Sequence, residues 1–182
     1  MQLMADPLFE LGNHAWTHAN LRVVQVEEVR NQILMTQAEY RVLHQGLQGR
    51  QCVAQAGPGE WERIPAWPTL FRFPYGTCSP ETLAAAADLG LASIQWSIVT
   101  GDPDKSRSAR AIAQAVRTEV KRSRGSIVVA HANGRGWHTA EALPLFVPQL
   151  RAEGYRFVTV SELLAAGHPD AFAECYELRP GD

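Results

Sequence analysis

The feature that most constrains this chain is the alternation of short apolar segments with stretches of helical periodicity from about residue 70 onward. The apolar segments have the length of β-strands. They are Leu70–Phe73, Ala92–Val99, Ser126–Ala130 and Arg156–Val160, with an earlier candidate at Phe9–Asn13. Because strands that alternate with helices form parallel sheets joined by right-handed crossovers, we predict an α/β fold. Both a (β/α) barrel and an open doubly wound sheet fit this pattern.

Helices are predicted between these strands. They span Val24–Leu43, Ser79–Gly90, Ser106–Arg122, Thr139–Glu153 and Ser161–Ala166. Ser79 and Pro80 suit the N-cap and the first position of a helix, and Ser161 is expected to cap the last one. Pro144 and Pro148 are expected to kink or break the helix that contains them.

The bulk composition fits one globular domain with a sizeable core, since 46% of the 182 residues are hydrophobic. A formal net charge of -2 gives no electrostatic reason to expect nucleic acid or an anionic membrane as a partner. We expect no transmembrane segment, because no apolar stretch approaches the roughly 20 residues of a membrane span. The first residues lack the pattern of a signal peptide, and the localisation stays open.

The three cysteines, Cys52, Cys78 and Cys175, are widely spaced and form no CxxC pair. A thiolate zinc site is therefore not expected, and the count does not decide the redox compartment. Residues 46–68 are rich in Gly, Pro and Trp and are predicted to be mostly loop, with a strand near Cys52–Gln55.

Polar side chains fall at the ends of four successive predicted strands. His14 and His18 follow the first strand, Arg72 ends the second, Asp102 lies just past the third and His131 ends the fourth. Active sites of α/β proteins collect at the carboxyl ends of their strands. We therefore predict that these side chains converge on one catalytic rim.

Two segments of this rim have a spacing that suits a particular chemistry. His14 and His18 are four residues apart and share a face if the segment is helical, so together they could bind a metal ion. Alone, this spacing is a weak signal. Arg72 precedes a Pro-Tyr-Gly turn, and its planar guanidinium could hold a carboxylate bidentately, while N–H groups of the Tyr75–Gly76 turn could serve as oxyanion donors.

His131 ends a continuous apolar strand, which leaves two interpretations. It is either a buried histidine bonded to a backbone carbonyl or a general acid, oriented by the nearby Asp102. Trp96 and Trp137 flank these positions, and aromatic faces near a rim suit sugar rings.

Four segments of the chain resemble, in order, motifs of the polysaccharide deacetylases, which are the NodB-homology domains of carbohydrate esterase family 4. They are Glu10–His18, Arg72–Gly76, Gln95–Asp102 and Gly125–His131, with Gly154–Leu164 resembling the closing strand and helix. The resemblance covers about residues 1–166 and leaves 167–182 as an irregular C-terminal tail. It implies an irregular (β/α) barrel with fewer strands than the eight-stranded type.

The resemblance also implies an activity, the hydrolysis of an N- or O-acetyl group on an amino sugar or polymer. In that family a divalent metal, often zinc, is held by two histidines and an aspartate, and a second aspartate acts as base. The residues implied here are His14 and His18 for the metal, His131, Arg72 and Asp102 for catalysis, and Tyr75, Trp96 and Trp137 for the substrate.

The sequence departs from the family pattern at the first motif, Thr-Phe-Asp-Asp-Gly, which supplies both aspartates. The chain has no Asp-Asp pair, and only Asp6 precedes His14. In the fourth motif, Val99 and Pro103 replace an aspartate and a tryptophan. We therefore expect a barrel that is truncated at its N-terminal end and misses its first strands, binds metal weakly and has impaired activity.

Three functions are compatible with the sequence. The first is a deacetylase acting on an acetylated glycan or a small amide, and the substrate itself is not identified. The second is a carbohydrate-binding pseudoenzyme of the same fold. The third is an unrelated open α/β protein in which the histidines are structural.

Overall fold

The computed structural model describes residues 2–50, 64–123, 125–132 and 134–175. They divide into two compact units. The first contains the chain up to Ile94 and the segment that starts at Gly167, and the second runs from Gln95 to Ala166. The strand predicted near residues 52–55 lies outside the described residues.

The first unit combines helices with one small parallel sheet. Its helices are α1 (Gln2–Ala5), α2 (Val26–Gln45) and α3 (Pro80–Asp88), with a 3₁₀ turn at Pro74–Gly76, and its strands are β1 (Leu70–Phe71) and β2 (Ala92–Ser93). Strands β1 and β2 pair in parallel, and Asn13 adds a parallel bridge to Phe71. Of the strand predicted at 9–13, only this bridge forms.

Local sequence signals account for the helices of the first unit. The Ser79 side chain accepts the backbone N–H of Thr82, and the Thr82 hydroxyl accepts that of Ser79, so the predicted cap of α3 is confirmed. Gly90 follows the helix with φ +75°, a left-handed conformation that glycine adopts without a steric penalty. Helix α2 buries Val29 and Ile33 completely against the core.

The second unit also pairs two strands in parallel, β3 (Ile98–Val99) with β4 (Val128–Val129). Its helices are α4 (Ala109–Val120), α5 (Thr139–Ala152) and α6 (Val160–Ala165). Helices α4 and α5 form most of its core, in which Ile112, Val116 and Ala142 are almost fully buried. None of the described helices is both long enough and apolar enough to cross a membrane.

Several sequence-based expectations of regular structure are wrong. The predicted strand Ala92–Val99 is split into β2 and β3, which pair with different partners. Residues 156–159 form no strand, because a Thr159–Glu162 capping box starts helix α6 there, and Ser161 lies inside that helix rather than at its cap.

Helix α5 runs unbroken from Thr139 to Ala152 with both prolines inside. The two prolines are four residues apart, so the N–H that Pro148 lacks would have bonded to the carbonyl of Pro144. The missing hydrogen bonds thus lie on one side of the helix. Of the expected kink or break, the break does not occur.

A disulfide joins Cys78 to Cys175, with a Cα–Cα distance of 5.3 Å and a sequence separation of 97 residues. Cys78 is buried, and Cys175 packs against the same apolar core. The segment from Gly167 to Cys175 has no helix or strand, so this bond is its covalent attachment to the first unit.

Cys175→Ser is expected to lower the free energy of unfolding by about 2–4 kcal/mol, because the bond restricts a long loop of the unfolded chain. Urea unfolding measures this loss. The double variant Cys78→Ser/Cys175→Ser should lose no more than either single variant, since all three remove the same bond. A Cys175→Ser protein as stable as the oxidised wild type would contradict the expectation.

Candidate functional site

Residues 14–18, here called the histidine loop, bring two imidazoles into contact. The ring centroids of His14 and His18 are 4.9 Å apart, with the ring planes at 79°. The loop is not helical, so the helical explanation for their spacing is wrong. Instead Ala15 and His18 take left-handed conformations, with φ of 64° and 59°, and the backbone turns the two rings toward each other.

Two buried amides hold this loop in place. The Asn13 side chain donates to the Ile33 carbonyl at 2.9 Å and accepts the Ala15 N–H at 3.0 Å. Gln32, which is 5% exposed on helix α2, accepts the N–H groups of Trp16 and Thr17 on one oxygen, at 3.0 and 2.7 Å. The loop therefore depends on a side chain from a different element.

Gln32 was not predicted from the sequence to be part of the site. A signal was present, since Gln32 lies among the core-facing positions of α2 next to Ile33. A buried polar side chain on the apolar face of a helix needs hydrogen-bond partners, and here those partners are the backbone groups of the loop.

A hydrogen bond fixes the tautomer of His14. Its Nδ1 lies 2.7 Å from the carbonyl oxygen of Arg72, which can only accept, so Nδ1 carries the proton and Nε2 the lone pair. The Arg72 N–H donates to the Asn13 carbonyl at 2.9 Å, and its Nε donates to the Ile94 carbonyl at 3.4 Å. The end of β1 and the histidine loop are thus coupled through the backbone.

The Pro74–Gly76 turn places an aromatic ring beside this pair. The Tyr75 ring meets the His18 ring edge-on, with centroids 4.7 Å apart. Tyr75 has φ 61° and ψ 4°, a left-handed conformation that costs a non-glycine residue roughly 1–2 kcal/mol. Ala15, His18 and Tyr75 are the non-glycine residues with positive φ in the described chain, and all three belong to this site. Such clustering of strain is typical of functional sites.

The second unit contains the other predicted pair, Asp102 with His131. Oδ1 of Asp102 lies 2.9 Å from Nδ1 of His131, and Oδ2 accepts the His131 backbone N–H at 2.6 Å. Asp102 is fully buried. The hydroxyls of Thr100 and Thr139 donate to the same carboxylate at 2.8 and 2.5 Å. Neither threonine was predicted from the sequence to have a role.

Burial raises the pKa of Asp102, but hydrogen bonds from Thr139, His131 and Thr100 together lower it below its ordinary value. The carboxylate therefore stays ionised and acts as an acceptor. It accepts a hydrogen bond from Nδ1–H of His131, so that Nε2 is the distal nitrogen of the ring. His131 is thus oriented by a carboxylate and not by a backbone carbonyl.

The two tryptophans differ in exposure. Trp137 is 46% exposed, carries the Lys105 ammonium 4.1 Å above its ring, and donates its backbone N–H to the Asp102 carbonyl. Trp96, which precedes β3 in the sequence, is half-buried.

The structure thus gathers His14, His18, Arg72 and Tyr75 in the first unit. The second unit contains Trp96, Asp102, His131 and Trp137. That both sets meet in one pocket stays a prediction. Within the described residues, no three His, Cys, Asp or Glu side chains form a group that could hold a metal ion.

Gln32→Leu is expected to destabilise the protein by about 1–3 kcal/mol, because two loop N–H groups lose their acceptor. Urea unfolding measures the change. Gln45→Leu, at an exposed position of the same helix, is the matched control and should cost little. Equal effects of the two substitutions would mean that Gln32 does not hold the loop.

Asp102→Asn is expected to remove an acid-sensitive part of the stability. Because the folded-state pKa of Asp102 lies below its ordinary value of 3.8, the ionised carboxylate stabilises the fold above about pH 4. This stabilisation is lost as the pH falls through the folded-state pKa. The difference in unfolding free energy between wild type and variant should therefore shrink from pH 5 toward pH 3. A difference that stays constant over this range would argue against the prediction.

The chain is similar to known deacetylases. No protein-family model matches the sequence. The chain is 30% identical over 154 residues to a peptidoglycan-N-acetylglucosamine deacetylase of Listeria monocytogenes. The matched region covers 85% of this chain and 27% of that protein. It is also 30% identical over 155 residues to a peptidoglycan-N-acetylglucosamine deacetylase of Bacillus cereus. That matched region covers 84% of this chain and 48% of that protein. The chain thus spans half or less of the length of these relatives.

Solved structures share the fold. A peptidoglycan N-acetylglucosamine deacetylase, solved with a substituted N-oxidanyl-benzamide, matches with a TM-score of 0.65 and 28% identity over 85% of this chain and 63% of that one. The family 4 pseudoenzyme of Bacillus anthracis matches with a TM-score of 0.65 and 24% identity, over 90% and 49% of the two chains. A family 4 acetyl xylan esterase of Clostridium thermocellum, solved with a cobalt ion, has the same score and identity, over 87% and 65%.

The last two likenesses, at 24% identity, concern the fold alone. Together the relatives and the structures confirm the predicted α/β fold of the NodB barrel type. The relatives and the structural neighbours of the chain are polysaccharide and peptidoglycan deacetylases of carbohydrate esterase family 4, which supports the family that the sequence predicts.

Proposed function

We propose that this chain provides residues for the metal-dependent hydrolytic deacetylation of an acetylated amino sugar in a polysaccharide. The observation that carries the proposal is the histidine loop, which holds the rings of His14 and His18 4.9 Å apart with the tautomer of His14 fixed. The relatives named peptidoglycan-N-acetylglucosamine deacetylases, which match 84–85% of this chain, support peptidoglycan as the polymer.

The two imidazoles have the chemistry of a divalent metal site. A histidine that ligates a metal commonly donates its other ring N–H to a backbone carbonyl, as His14 does to Arg72. His14 and His18 would hold the ion, and zinc is the proposed metal. When bound, such an ion polarises the acetyl carbonyl and lowers the pKa of a coordinated water. By the family resemblance an aspartate would complete the set.

The second unit would supply the proton that the leaving group needs. Asp102 holds the proton on Nδ1 of His131, and this orientation would direct Nε2 toward the substrate. As the carbon–nitrogen bond of the acetamide breaks, protonated Nε2 gives its proton to the departing amine nitrogen. The catalytic role of this pair is a proposal that its hydrogen-bond geometry supports.

The remaining site residues would position the reactants. The Arg72 guanidinium would hold the carboxylate of the general base, and the N–H of Tyr75 would donate to the oxyanion. Trp137, whose ring is 46% exposed, and Trp96 would contact the sugar.

The Cys78–Cys175 disulfide supports action in an oxidising compartment outside the cytoplasm. Peptidoglycan lies in such a compartment in bacteria. The proposed location and the proposed polymer are therefore compatible.

A carbohydrate-binding pseudoenzyme is the second candidate. It is favoured by one observation, that the described residues contain no three-ligand group for a metal. The 182 residues also contain no Asp-Asp pair to supply a ligand and a base. For this reason we propose that catalysis by the 182-residue chain is impaired, although the residues that bind metal and donate the proton remain.

Metal titration of the 182-residue protein by calorimetry tests the proposal. Zinc is expected to bind weakly to the wild type and to His131→Ala, and not to His14→Ala/His18→Ala. Acetate release from N-acetylated peptidoglycan should be slow, should require the metal, and should fall a further 10²–10⁴-fold in His131→Ala. The same assays apply to the product of any in-frame extension upstream of Met1, where an Asp-Asp-Gly sequence should restore turnover.

The outcomes separate the candidates. Glycan binding without metal-dependent acetate release, even in an extended product, would favour the pseudoenzyme. Zinc binding that survives loss of both imidazoles would contradict the proposed metal site.

A further inference from the structure

The Asp102 carboxylate is held at both of its oxygens. Oδ1 faces Nδ1 of His131 at 2.9 Å and the Thr100 hydroxyl at 2.8 Å. Oδ2 accepts the His131 backbone N–H at 2.6 Å and the Thr139 hydroxyl at 2.5 Å. Because each oxygen serves different donors, the carboxylate cannot rotate without breaking several bonds.

The two threonines are not equivalent. The Thr100 hydroxyl has one proton but lies near two acceptors, Asp102 Oδ1 at 2.8 Å and the Val129 carbonyl at 2.9 Å. It therefore shares its donation between them. Thr139 directs its hydroxyl to Asp102 Oδ2. Thr139 is thus the side-chain donor that fixes this oxygen.

Thr139 does not act as a helix cap. It is the first residue of α5, and the cap position belongs to His138. A capping hydroxyl would accept a backbone N–H of the helix, whereas the Thr139 hydroxyl donates to a carboxylate on another segment. The start of α5 also favours a nearby negative charge, since helix N-termini carry partial positive charge.

The loop before α5 is closed tightly around this contact. A Cβ on Gly136 would overlap the His131 carbonyl oxygen and the Thr139 hydroxyl, so only glycine fits there. The next residue, Trp137, donates its backbone N–H to the Asp102 carbonyl at 3.2 Å. The path of this loop therefore delivers Thr139 to the carboxylate.

We propose that Thr139 is a positioning residue, which locks Asp102 so that His131 keeps its proton on Nδ1 and directs Nε2 outward. The inference rests on the proposed function for its catalytic meaning, because the orientation matters only if His131 donates a proton. Without the Thr139 hydroxyl, the only remaining donor to Asp102 Oδ2 among these contacts is the backbone N–H of His131. The carboxylate then turns more easily, and the Nε2–H tautomer of His131 becomes populated.

The test is the tautomer of His131, read by NMR from its ring nitrogens in the 182-residue protein labelled with ¹⁵N-histidine. Spectra are recorded above the titration range of histidine, and the signals of His131 are identified by their loss in His131→Gln. Wild type is expected to show one tautomer, protonated at Nδ1. Thr139→Val should lose this single-tautomer pattern, and Thr139→Ser should retain it.

Thr118→Val is the matched control. Thr118 is an exposed threonine in α4 whose hydroxyl bonds to the Gln114 carbonyl of its own helix. Its replacement by valine also removes one hydroxyl, but one that does not bond to Asp102. The tautomer of His131 should therefore stay unchanged.

An unchanged Nδ1–H tautomer in folded Thr139→Val would overturn the inference. Should that variant not unfold cooperatively in urea, the wild type provides the second test. The Thr139 hydroxyl and the His131 backbone N–H donate to one oxygen, so a slowly exchanging hydroxyl proton with a nuclear Overhauser contact to that N–H is expected. Its absence would overturn the inference as well.

Neither readout depends on turnover or on a bound metal. A chain that fails the deacetylation assay can still show the coupling between Thr139 and His131. Conversely, an active chain can lack it. The failure of the proposed function and that of the positioning role are therefore distinguishable.

Discussion

The complete burial of one carboxylate organises the second unit. Removing an ionised group from water costs several kcal/mol unless hydrogen bonds replace the lost hydration. For Asp102 the donors come from the ends of two strands and the start of a helix, through Thr100, His131 and Thr139. The segments that carry these donors must therefore fold together. The same hydrogen bonds that stabilise the buried Asp102 carboxylate also fix the tautomer of His131, since its Nδ1–H donates to Asp102.

The first unit meets a related requirement with neutral groups. Its histidine loop contains left-handed residues, which are unfavourable without compensation from the surroundings. Gln32 and Asn13 provide that compensation, since their buried side chains accept hydrogen bonds from N–H groups of the partly exposed loop. In both units, then, side chains with possible chemical roles are oriented by hydrogen bonds from neighbouring elements.

The sequence predicted those parts of the structure that are encoded locally. Ser79 and Pro80 marked the start of α3, and the apolar run before His131 contains strand β4. The approach of Asp102 to His131 was also foreseen, because both follow strands. Segments with ambiguous periodicity were less accessible: the run at 156–160 is apolar enough for a strand, but the Thr159–Glu162 capping box starts a helix there.

Contacts between distant residues were not accessible from one sequence. Gln32 bonds to loop residues that are 15 and 16 positions away in the sequence, and Thr139 bonds to Asp102 from 37 positions away. Neither spacing has a recurring pattern that would identify it. The geometry of the histidine loop was inaccessible for another reason, since non-glycine residues adopt left-handed conformations only where the surrounding fold imposes them. The spacing of His14 and His18 thus predicted correctly that their rings lie together, although the backbone between them is not helical.

The bond between Cys78 and Cys175 gives the chain a closed covalent ring that contains residues 95–166 of the second unit. A protease that cuts the backbone once between these cysteines would open the ring without releasing a fragment. The cleaved molecule would keep its mass apart from one added water, and only a reductant would separate the two pieces.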